Sequence, residues 1–481
     1  MNYIPTIGLE IHAELKTKSK MFCSSKNDPS EKQPNVNICP ICMGHPGTLP
    51  VPNEKAIHMV LKTGLALNCT PAEYSKFDRK NYFYPDLPKG YQISQYDLPL
   101  CENGFLKIGE RDIRIRRIHL EEDTARSQHS SKADYSLVDF NRAGVPLMEL
   151  VTEPDVQSGK EASAFAQELQ RIFRYLDVSD ADMEKGQMRV ETNVSLRPEG
   201  TEQLGTKVEV KNLNSFRSVQ NAIAFEIRRQ TQLLEAGKEV AQETRGWDES
   251  KKETFLQREK ESAHDYRYFP EPDIPPLTFA KDFIEQLRLE VPELPQKKRE
   301  RIQYEYGLGN KEAALLVKDR ALGEYFEKVI SELGPRLSQK ELAGRISLAT
   351  NYIVSDLQGL LKGTSVEDPN FKITPENFAE LINMLASGTI SSPAAKSLLK
   401  KMFETGGDPS QLLESEQLAQ VSDEAEIERI AREIIEKNPK AVGDFKSGKQ
   451  NALQFLIGQM MAQTRGTINP QTAEQVLQKF L

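Results

Sequence analysis

The sequence has 481 residues, which is too many for one hydrophobic core and predicts about two to four domains. Its 71 acidic and 63 basic side chains give a net charge of −8, which argues against a protein that coats nucleic acid non-specifically but allows a local basic patch. The N-terminal residues lack a basic segment followed by an apolar one, and no run of about 20 apolar residues follows, so we expect a cytoplasmic protein without a membrane span.

The first predicted strand carries the first candidate site. The segment Gly8-Leu9-Glu10-Ile11-His12-Ala13-Glu14 alternates apolar and polar residues, so its three polar side chains share one face. Segments 119–123 and 145–150 bring further carboxylates. If the three segments are neighbours in a sheet, they form a carboxylate-rich site with one imidazole, which suits Mg²⁺ or Mn²⁺. The alternative is an ordinary strand with a solvent face, which would show the same alternation.

The chain has five cysteines, which are too few for a disulfide framework, and three of them follow this strand. Cys39-Pro40-Ile41-Cys42 has the spacing of half a zinc knuckle, and Cys23 lies sixteen residues before it. The three thiolates could hold a structural Zn²⁺, with His45 as the one obvious fourth ligand. The alternative is a loop that folds by packing alone. A redox pair is disfavoured because no thioredoxin-like βαβ pattern surrounds it.

Residues 76–86 (Lys-Phe-Asp-Arg-Lys-Asn-Tyr-Phe-Tyr-Pro-Asp) mix cations, aromatic rings and turn formers. This mixture suits a phosphate-bearing ligand with a base or sugar to stack, although a partly exposed structural loop would also allow it. Segments 188–195 and 205–211 alternate as strands do and align charged and amide groups on one face. Arginine and lysine there could neutralise phosphoryl oxygens, whereas an ordinary exposed sheet face would look the same.

The remaining pattern predicts helices and domain boundaries. Residues 160–176 and 215–234 are expected to form long helices within a sheet-based domain. Proline-rich segments 269–276 and 292–295 end that domain, and the pattern beyond them is helical. Thr374-Pro375 and Ser392-Pro393 are helix starts, and Gly406-Gly407-Asp408-Pro409 is a break. The sequence contains no phosphate-binding P-loop, no convincing dinucleotide-binding turn and no nucleophile elbow.

Six segments together resemble a known family, the B subunit of bacterial aspartyl/glutamyl-tRNA amidotransferase. They occur in the family's order over nearly the whole chain, and the C-terminal tail resembles the family's YqeY-like domain. The segments are Gly8-Leu9-Glu10-Ile11-His12, residues 76–86, Tyr91-Gln92-Ile93-Ser94-Gln95, His119-Leu120-Glu121-Glu122-Asp123, residues 141–147 and residues 265–273.

The resemblance implies an α+β fold. We expect a cradle of antiparallel sheet with flanking helices over residues 1–292, which would carry the kinase and transamidation chemistry. An all-helical domain is expected over 293–405. A small helical YqeY-like tail is expected over 406–481, and the tail would bind tRNA with lysines such as Lys446 and Lys449.

The resemblance also implies a reaction. A glutaminase A subunit of the amidase type would supply ammonia, and a small C subunit would complete a heterotrimer. The B subunit would bind Glu-tRNA(Gln) or Asp-tRNA(Asn), a choice that the sequence leaves open, and would use ATP and Mg²⁺ to phosphorylate the Glu or Asp side chain before amidation. A carboxylate is a poor electrophile, so this step supplies the leaving group. The alternative is a tRNA-binding scaffold of the same fold without kinase activity. An archaeal-type relative is disfavoured because no synthetase-like insertion is visible.

The residues implied by the resemblance fall into four sets. The expected Mg²⁺ ligands are His12, Glu122 and Glu149. The expected catalytic residues are Glu10, Arg79, Lys80, Arg189 and Glu191. The expected ATP and substrate contacts are Asn81, Tyr82, Tyr84, Asn193 and Lys207. A structural zinc would use Cys23, Cys39 and Cys42, but Ser25 stands where zinc-bearing members have a further cysteine. Glu14 is expected on the surface.

Overall fold

The computed structural model describes residues 2–129, 134–259, 266–334, 337–416, 424–464, 468 and 470–481. Asp265, in the last of the six motifs, lies outside the described residues. The chain divides into two compact units, Met1–Pro295 and Gln296–Leu481. The three-way division at 292/293 and 405/406 stays a prediction.

The described strands all lie in the first unit. In chain order they are β1 (Tyr3–Glu14), β2 (Thr70–Pro71), β3 (Tyr74–Ser75), β4 (Asp78–Asn81), β5 (Tyr91–Ser94), β6 (Cys101–Ile108), β7 (Arg111–Glu122), β8 (Arg126–His129), β9 (Ser136–Asp139), β10 (Pro146–Thr152), β11 (Met188–Pro198), β12 (Val208–Leu213), β13 (Glu243–Asp248), β14 (Glu253–Glu259), β15 (Arg267–Pro270) and β16 (Leu277–Thr278).

Within the described residues, nine strands form one sheet in the order β14-β13-β12-β11-β1-β10-β7-β6-β2. Every neighbouring pair is antiparallel except β12 and β13, which are parallel. A smaller sheet has the order β15-β4-β5, and β16 pairs with β3 and β8 with β9. The predicted α+β fold with a large antiparallel sheet is confirmed.

Four helices accompany these strands in the first unit: α1 (Glu54–Ala66), α2 (Gly159–Tyr175), α3 (Phe216–Glu235) and α4 (Lys281–Leu289). Helix α2 begins after Ser158, whose side chain accepts a hydrogen bond from the backbone of Glu161. The odd-numbered residues of β1 from Ile7 to Ala13 are buried, and they share one hydrophobic core with the stripe of α2 that includes Phe165 and Leu169. The even-numbered polar residues of β1 therefore lie on the opposite face of the sheet.

The described part of the second unit is helical. Its helices are α5 (Pro295–Tyr306), α6 (Asn310–Leu316), α7 (Arg320–Ser331), α8 (Gln339–Asn351), α9 (Gln358–Leu361), α10 (Pro375–Ala386), α11 (Ser392–Thr405), α12 (Pro409–Glu416), α13 (Glu424–Lys437), α14 (Pro439–Lys446), α15 (Gln450–Gln463) and α16 (Pro470–Phe480); a π-helical segment, Tyr352–Leu357, joins α8 to α9.

Two predicted helix starts can be compared with the structure. Thr374 caps α10 as the sequence predicts, with Pro375 in the first turn. Ser391, one residue before the predicted position, caps α11, and Gly406 ends that helix in the left-handed conformation at φ 77°. Each helix in the described residues is too short or too polar to cross a membrane.

Candidate active site

The central strands of the large sheet carry a continuous polar face. His12 on β1 lies opposite Glu149 on β10, and Glu149 lies opposite His119 on β7. On the other side of β1, His12 lies opposite Arg189 and Glu10 opposite Glu191 on β11. Because side chains alternate along a strand, this register places a set of charged and amide groups from five strands on one face. The set comprises Glu10, His12, Glu14, Arg117, His119, Glu121, Glu149, Arg189, Glu191, Asn193, Glu209 and Lys211.

Two imidazoles share one carboxylate at the centre of this face. The Nε2 atoms of His12 and His119 each lie 3.3 Å from Glu149 Oε2. His12 Nε2 is also 3.8 Å from Glu10 Oε1 and 3.9 Å from Glu121 Oε1. The ligand atoms of Glu10, His12 and Glu149 lie within 4.8 Å of one another, as do those of His119, Glu121 and Glu149. The arrangement is a pair of adjoining three-ligand groups joined by Glu149.

The charges in this cluster are strongly coupled. Burial alone lowers the pKa of His12, but the hydrogen bond and charge of Glu149 raise it to about 9. The same carboxylate, together with Glu121, overcomes burial and raises the pKa of His119 to about 9. The pKa of Glu149 lies well below its usual value because the two imidazoles outweigh its burial. Burial and the charge of Glu149 raise the pKa of Glu10 to about 7. Without a metal, the protons bound to the two imidazoles offset the negative charge of the carboxylates.

The structure places Glu121, not Glu122, in this cluster. Glu122 points to the opposite face, where it pairs with Lys89 and accepts a hydrogen bond from the Ile93 backbone at 3.0 Å. Neighbouring residues of a strand face opposite sides, so only one of the two glutamates can share a face with His119. Glu121, rather than the expected ligand Glu122, therefore lies beside His119 and Glu149. The site also has a second imidazole, His119, which the sequence pattern did not single out although it lies two residues from Glu121.

Three cationic side chains lie beside the cluster. Lys80 on β4 is close enough that the charges of Glu121 and Glu149 raise its pKa despite its burial. Arg189 donates a hydrogen bond to Asp123 Oδ2 at 3.0 Å. Lys211 Nζ lies 2.7 Å from Glu191 Oε2. Lys80, Arg189 and Glu191, three of the predicted catalytic residues, therefore lie beside the carboxylate–imidazole cluster, and Lys211, which was not predicted, lies there as well.

Other predicted residues lie away from the cluster. Arg79 points to the opposite side of β4 from Lys80 and forms two hydrogen bonds with Glu271, at 2.6 and 2.9 Å. Asn81 donates to the backbone oxygens of Arg79 and Arg267. Lys207 is exposed just before β12. The catalytic role expected of Arg79 and the ligand contacts expected of Asn81 and Lys207 are not supported by this geometry, because local hydrogen bonding, strand alternation and exposure take these side chains elsewhere.

Aromatic rings surround Lys80. The Tyr82 ring lies edge-on to Tyr84 and Tyr266, with centroid separations of 6.2 and 5.8 Å, and its hydroxyl lies 3.3 Å from Gln92 Oε1. Lys80 Nζ lies 5.1 Å from the Tyr266 ring centroid. Tyr82 is therefore close to the cluster, whereas Tyr84 is mostly exposed. This segment has the mixture of rings and charge that suits a base or sugar next to phosphates.

Glu14, expected on the surface, is instead half-buried at one end of the polar face. Burial and the nearby carboxylate of Asp123 raise its pKa to about 7. It helps to line a cavity of about 540 Å³ together with Arg126 and Arg142. Glu14 is thus less exposed than expected, and the charges of Asp123 and Arg189 act on its carboxylate.

The three clustered cysteines lie outside the polar face. The Sγ atoms of Cys23, Cys39 and Cys42 lie within 4.8 Å of one another, and no further Cys, His, Asp or Glu among the described residues joins them. His45 therefore does not lie in this group with the three sulfurs. A hydrogen bond from Cys23 and the charge of Lys20 lower the pKa of Cys42, against the effect of burial.

The chain is similar to two family models and to proteins from several organisms. A family model described as the GatB/GatE catalytic domain matches residues 5–285, and one described as a GatB domain matches residues 325–481. A protein of Caldanaerobacter subterraneus named as the B subunit of aspartyl/glutamyl-tRNA(Asn/Gln) amidotransferase is 47% identical over 486 residues, with 100% of both chains covered. Proteins of the same name are 46% identical in Thermotoga maritima (489 residues, 100% of this chain and 99% of the relative) and 47% identical in Persephonella marina (485 residues, 100% of both).

The first family model spans every residue of the polar face, and the relatives match the chain from end to end. On this evidence the protein belongs to the family of aspartyl/glutamyl-tRNA(Asn/Gln) amidotransferase B subunits.

Proposed function

We propose that this chain activates the side-chain carboxylate of Glu or Asp on a misacylated tRNA by ATP- and Mg²⁺-dependent phosphorylation, and that ammonia then displaces the phosphate. The observation that carries the proposal is the partly buried group of Glu10, His12, Glu149, His119 and Glu121, with Lys80, Arg189 and Lys211 beside it. The relatives' names supply the substrate class, a tRNA for Asn or Gln.

The donor set fits a hard divalent cation. Carboxylate oxygens predominate, and oxygen donors are what Mg²⁺ and Mn²⁺ prefer. Glu10, His12 and Glu149 would hold the ion, with His119 and Glu121 on the other side of Glu149. When bound, the ion would supply positive charge that lets two anions, a phosphate and a carboxylate, approach each other.

The chain's own residues would do the positioning. Lys80, Arg189 and Lys211 supply fixed positive charge next to the carboxylates, where phosphoryl oxygens must be neutralised. In the first step a carboxylate oxygen of the tRNA-bound residue bonds to the γ-phosphorus and ADP leaves. In the second, ammonia bonds to the acyl carbon, loses a proton, and phosphate leaves with the electron pair of the broken bond.

The proposal includes partners. Ammonia would come from an amidase-type A subunit, with a small C subunit completing the complex, because no glutaminase motif is present in the sequence. The C-terminal tail would contact the tRNA. A scaffold of the same fold that binds tRNA without kinase activity is the alternative.

The test is tRNA-stimulated ATP hydrolysis by the assembled complex. Glu-tRNA(Gln) should stimulate phosphate release by the wild-type complex, and the complexes with His12→Ala or Glu149→Gln should lose that stimulation about 100-fold or more. His58→Gln is the matched control, since His58 lies on α1 next to Glu54. If tRNA still stimulates ATP hydrolysis in both the His12→Ala and the Glu149→Gln complexes, the kinase role is refuted. If the wild-type complex binds tRNA without hydrolysing ATP, the result supports a tRNA-binding scaffold.

A further inference from the structure

Three sulfur atoms and one amine lie together outside the candidate active site. Besides the mutual proximity of Cys23, Cys39 and Cys42, Lys20 Nζ lies 3.7 Å from Cys42 Sγ and donates a hydrogen bond to Phe140 O at 3.1 Å. Lys20 has no exposed surface. The polar neighbour that accompanies the three sulfurs is thus a buried amine.

This donor set does not complete a structural zinc site. Such a site has four ligands, and the described residues bring together three. A lysine ammonium group has no lone pair to donate, and its charge repels a dication placed among the same sulfurs. Ser25, two residues after Cys23, forms a hydrogen bond with the Cys23 thiol, and a hydroxyl is a much poorer zinc ligand than a thiolate. The three thiols therefore have a buried amine as their polar neighbour, and the described residues bring no fourth zinc ligand to them.

Although no thioredoxin-like βαβ pattern surrounds them, which disfavours a redox pair on sequence alone, Cys39 and Cys42 have the geometry of a pair that can be joined. Their Sγ atoms are 3.8 Å apart, and the Cys39 backbone N–H donates to Cys42 Sγ at 3.1 Å. The Met43 N–H donates to Cys39 O at 3.0 Å, which closes a tight turn. A disulfide needs a separation of about 2.05 Å, so the two sulfurs must approach by about 2 Å. Cys39 is half-buried and reachable from solvent, whereas Cys42 is only 5% exposed.

We propose that this cluster is a metal-free redox site at which Cys39 and Cys42 form a reversible disulfide, with a low-molecular-weight disulfide as the oxidant. The sulfur of Cys39 attacks one sulfur of the small disulfide, which releases one small thiol and leaves a mixed disulfide on Cys39. The sulfur of Cys42 then attacks Cys39 Sγ and expels the second small thiol. The two cysteine protons end on the two released thiols, and two electrons pass to the small disulfide.

The experiment uses the full-length chain, first reduced and loaded with excess zinc, then dialysed. Zinc per chain is measured, and the dialysed chain is equilibrated in buffers with stepped ratios of reduced and oxidised glutathione. Free thiols are then alkylated and peptides are mapped by mass spectrometry. We expect no retained zinc and a Cys39–Cys42 disulfide that grows with the oxidised fraction and reverses on reduction.

Variants separate the two steps. Cys42→Ser should accumulate a glutathione mixed disulfide on Cys39, and Cys39→Ser should form no intramolecular disulfide. Cys69→Ser, which alters a buried cysteine outside the cluster, should titrate like the wild type. Retention of one zinc per chain, a disulfide that includes Cys23, or no disulfide in the wild type at any glutathione ratio would each overturn the proposal. None of these readouts depends on the kinase reaction.

Discussion

Glu149 joins the two imidazoles of the candidate active site, and this contact determines how the site responds to pH. Its carboxylate is the largest cause that raises the pKa values of His12 and His119, each to about 9. At neutral pH both imidazoles of the metal-free chain are therefore protonated, and a protonated imidazole cannot ligate a metal. A metal ion must displace protons to bind.

We therefore expect the affinity for Mn²⁺, used as a probe of the magnesium site, to rise with pH between about 7 and 9. Each displaced proton should contribute about tenfold per pH unit, and the direction follows because raising the pH removes the proton that competes with the metal. Glu10, with its pKa of about 7, adds a further proton at the lower end of this range. Calorimetric titration in buffers of different ionisation enthalpy would count the protons released. His58→Gln should leave the slope unchanged, and a flat pH profile would contradict the ligand assignment.

At the scale of the element, the alternation of residues along one strand predicts part of the site. The pairing of strands that are distant in the sequence determines the rest. The alternation of residues 8–14 was enough to place Glu10 and His12 on one face. The choice between Glu121 and Glu122 depends on the register of β7 against β10, which brings together residues about 30 positions apart and leaves no local signal. The order of strands in the sheet also depends on pairing between distant segments, so local sequence patterns do not predict it. Helix starts such as Thr374-Pro375 were predictable because capping is local.

Strand alternation makes Glu121 and Glu122 a matched pair of adjacent residues. Glu121→Gln removes a carboxylate that faces both imidazoles, so tRNA-stimulated ATP hydrolysis should fall about 100-fold or more. Glu122→Gln leaves an oxygen that can accept from the Ile93 backbone and should retain most of the wild-type rate. Circular dichroism would confirm that both variants fold. A larger loss for Glu122→Gln than for Glu121→Gln would show that the face assignment of β7 is wrong.

Arg79 and Lys80 form a second such pair on β4. Lys80→Met should lower the turnover number for ATP hydrolysis by about 100-fold, because it removes positive charge beside Glu121 and Glu149. Arg79→Met should instead lower the free energy of unfolding by about 3 kcal/mol, because it leaves the fully buried Glu271 carboxylate unpaired. Denaturant unfolding and steady-state kinetics measured on both variants separate the two effects. If the two variants lost the same amount of activity and had the same stability, the assignment of a catalytic role to Lys80 and a structural role to Arg79 would be wrong.

At the scale of the whole molecule, the proposed binding of tRNA to a chain with a net charge of −8 requires local basic groups. Helices α13 to α16 have a hydrophobic core of their own, built around Ile430, Leu456 and Met460. Lys440 and Lys446 both lie on α14 and are exposed. The ammonium group of Lys449, by contrast, lies 2.9 Å from the Asp444 carboxylate. This ion pair weakens the attraction of Lys449 for a phosphate. The tail lysines therefore differ in what they can offer a phosphate.

The proposed contact between tail and tRNA can be tested through its salt dependence. Replacing both Lys440 and Lys446 with Gln should raise the Michaelis constant for Glu-tRNA(Gln) and lower the slope of log affinity against log salt concentration by about 2, one unit for each lost phosphate contact. ATP hydrolysis at saturating tRNA should not change, because both lysines lie in the C-terminal tail whereas the carboxylate–imidazole cluster lies in the first unit. Lys437→Gln is the control, since Glu433 already pairs with that ammonium group at 2.5 Å. An unchanged salt slope in the double variant, with a normal Michaelis constant, would show that these lysines do not contact the tRNA and would assign its recognition to other parts of the chain.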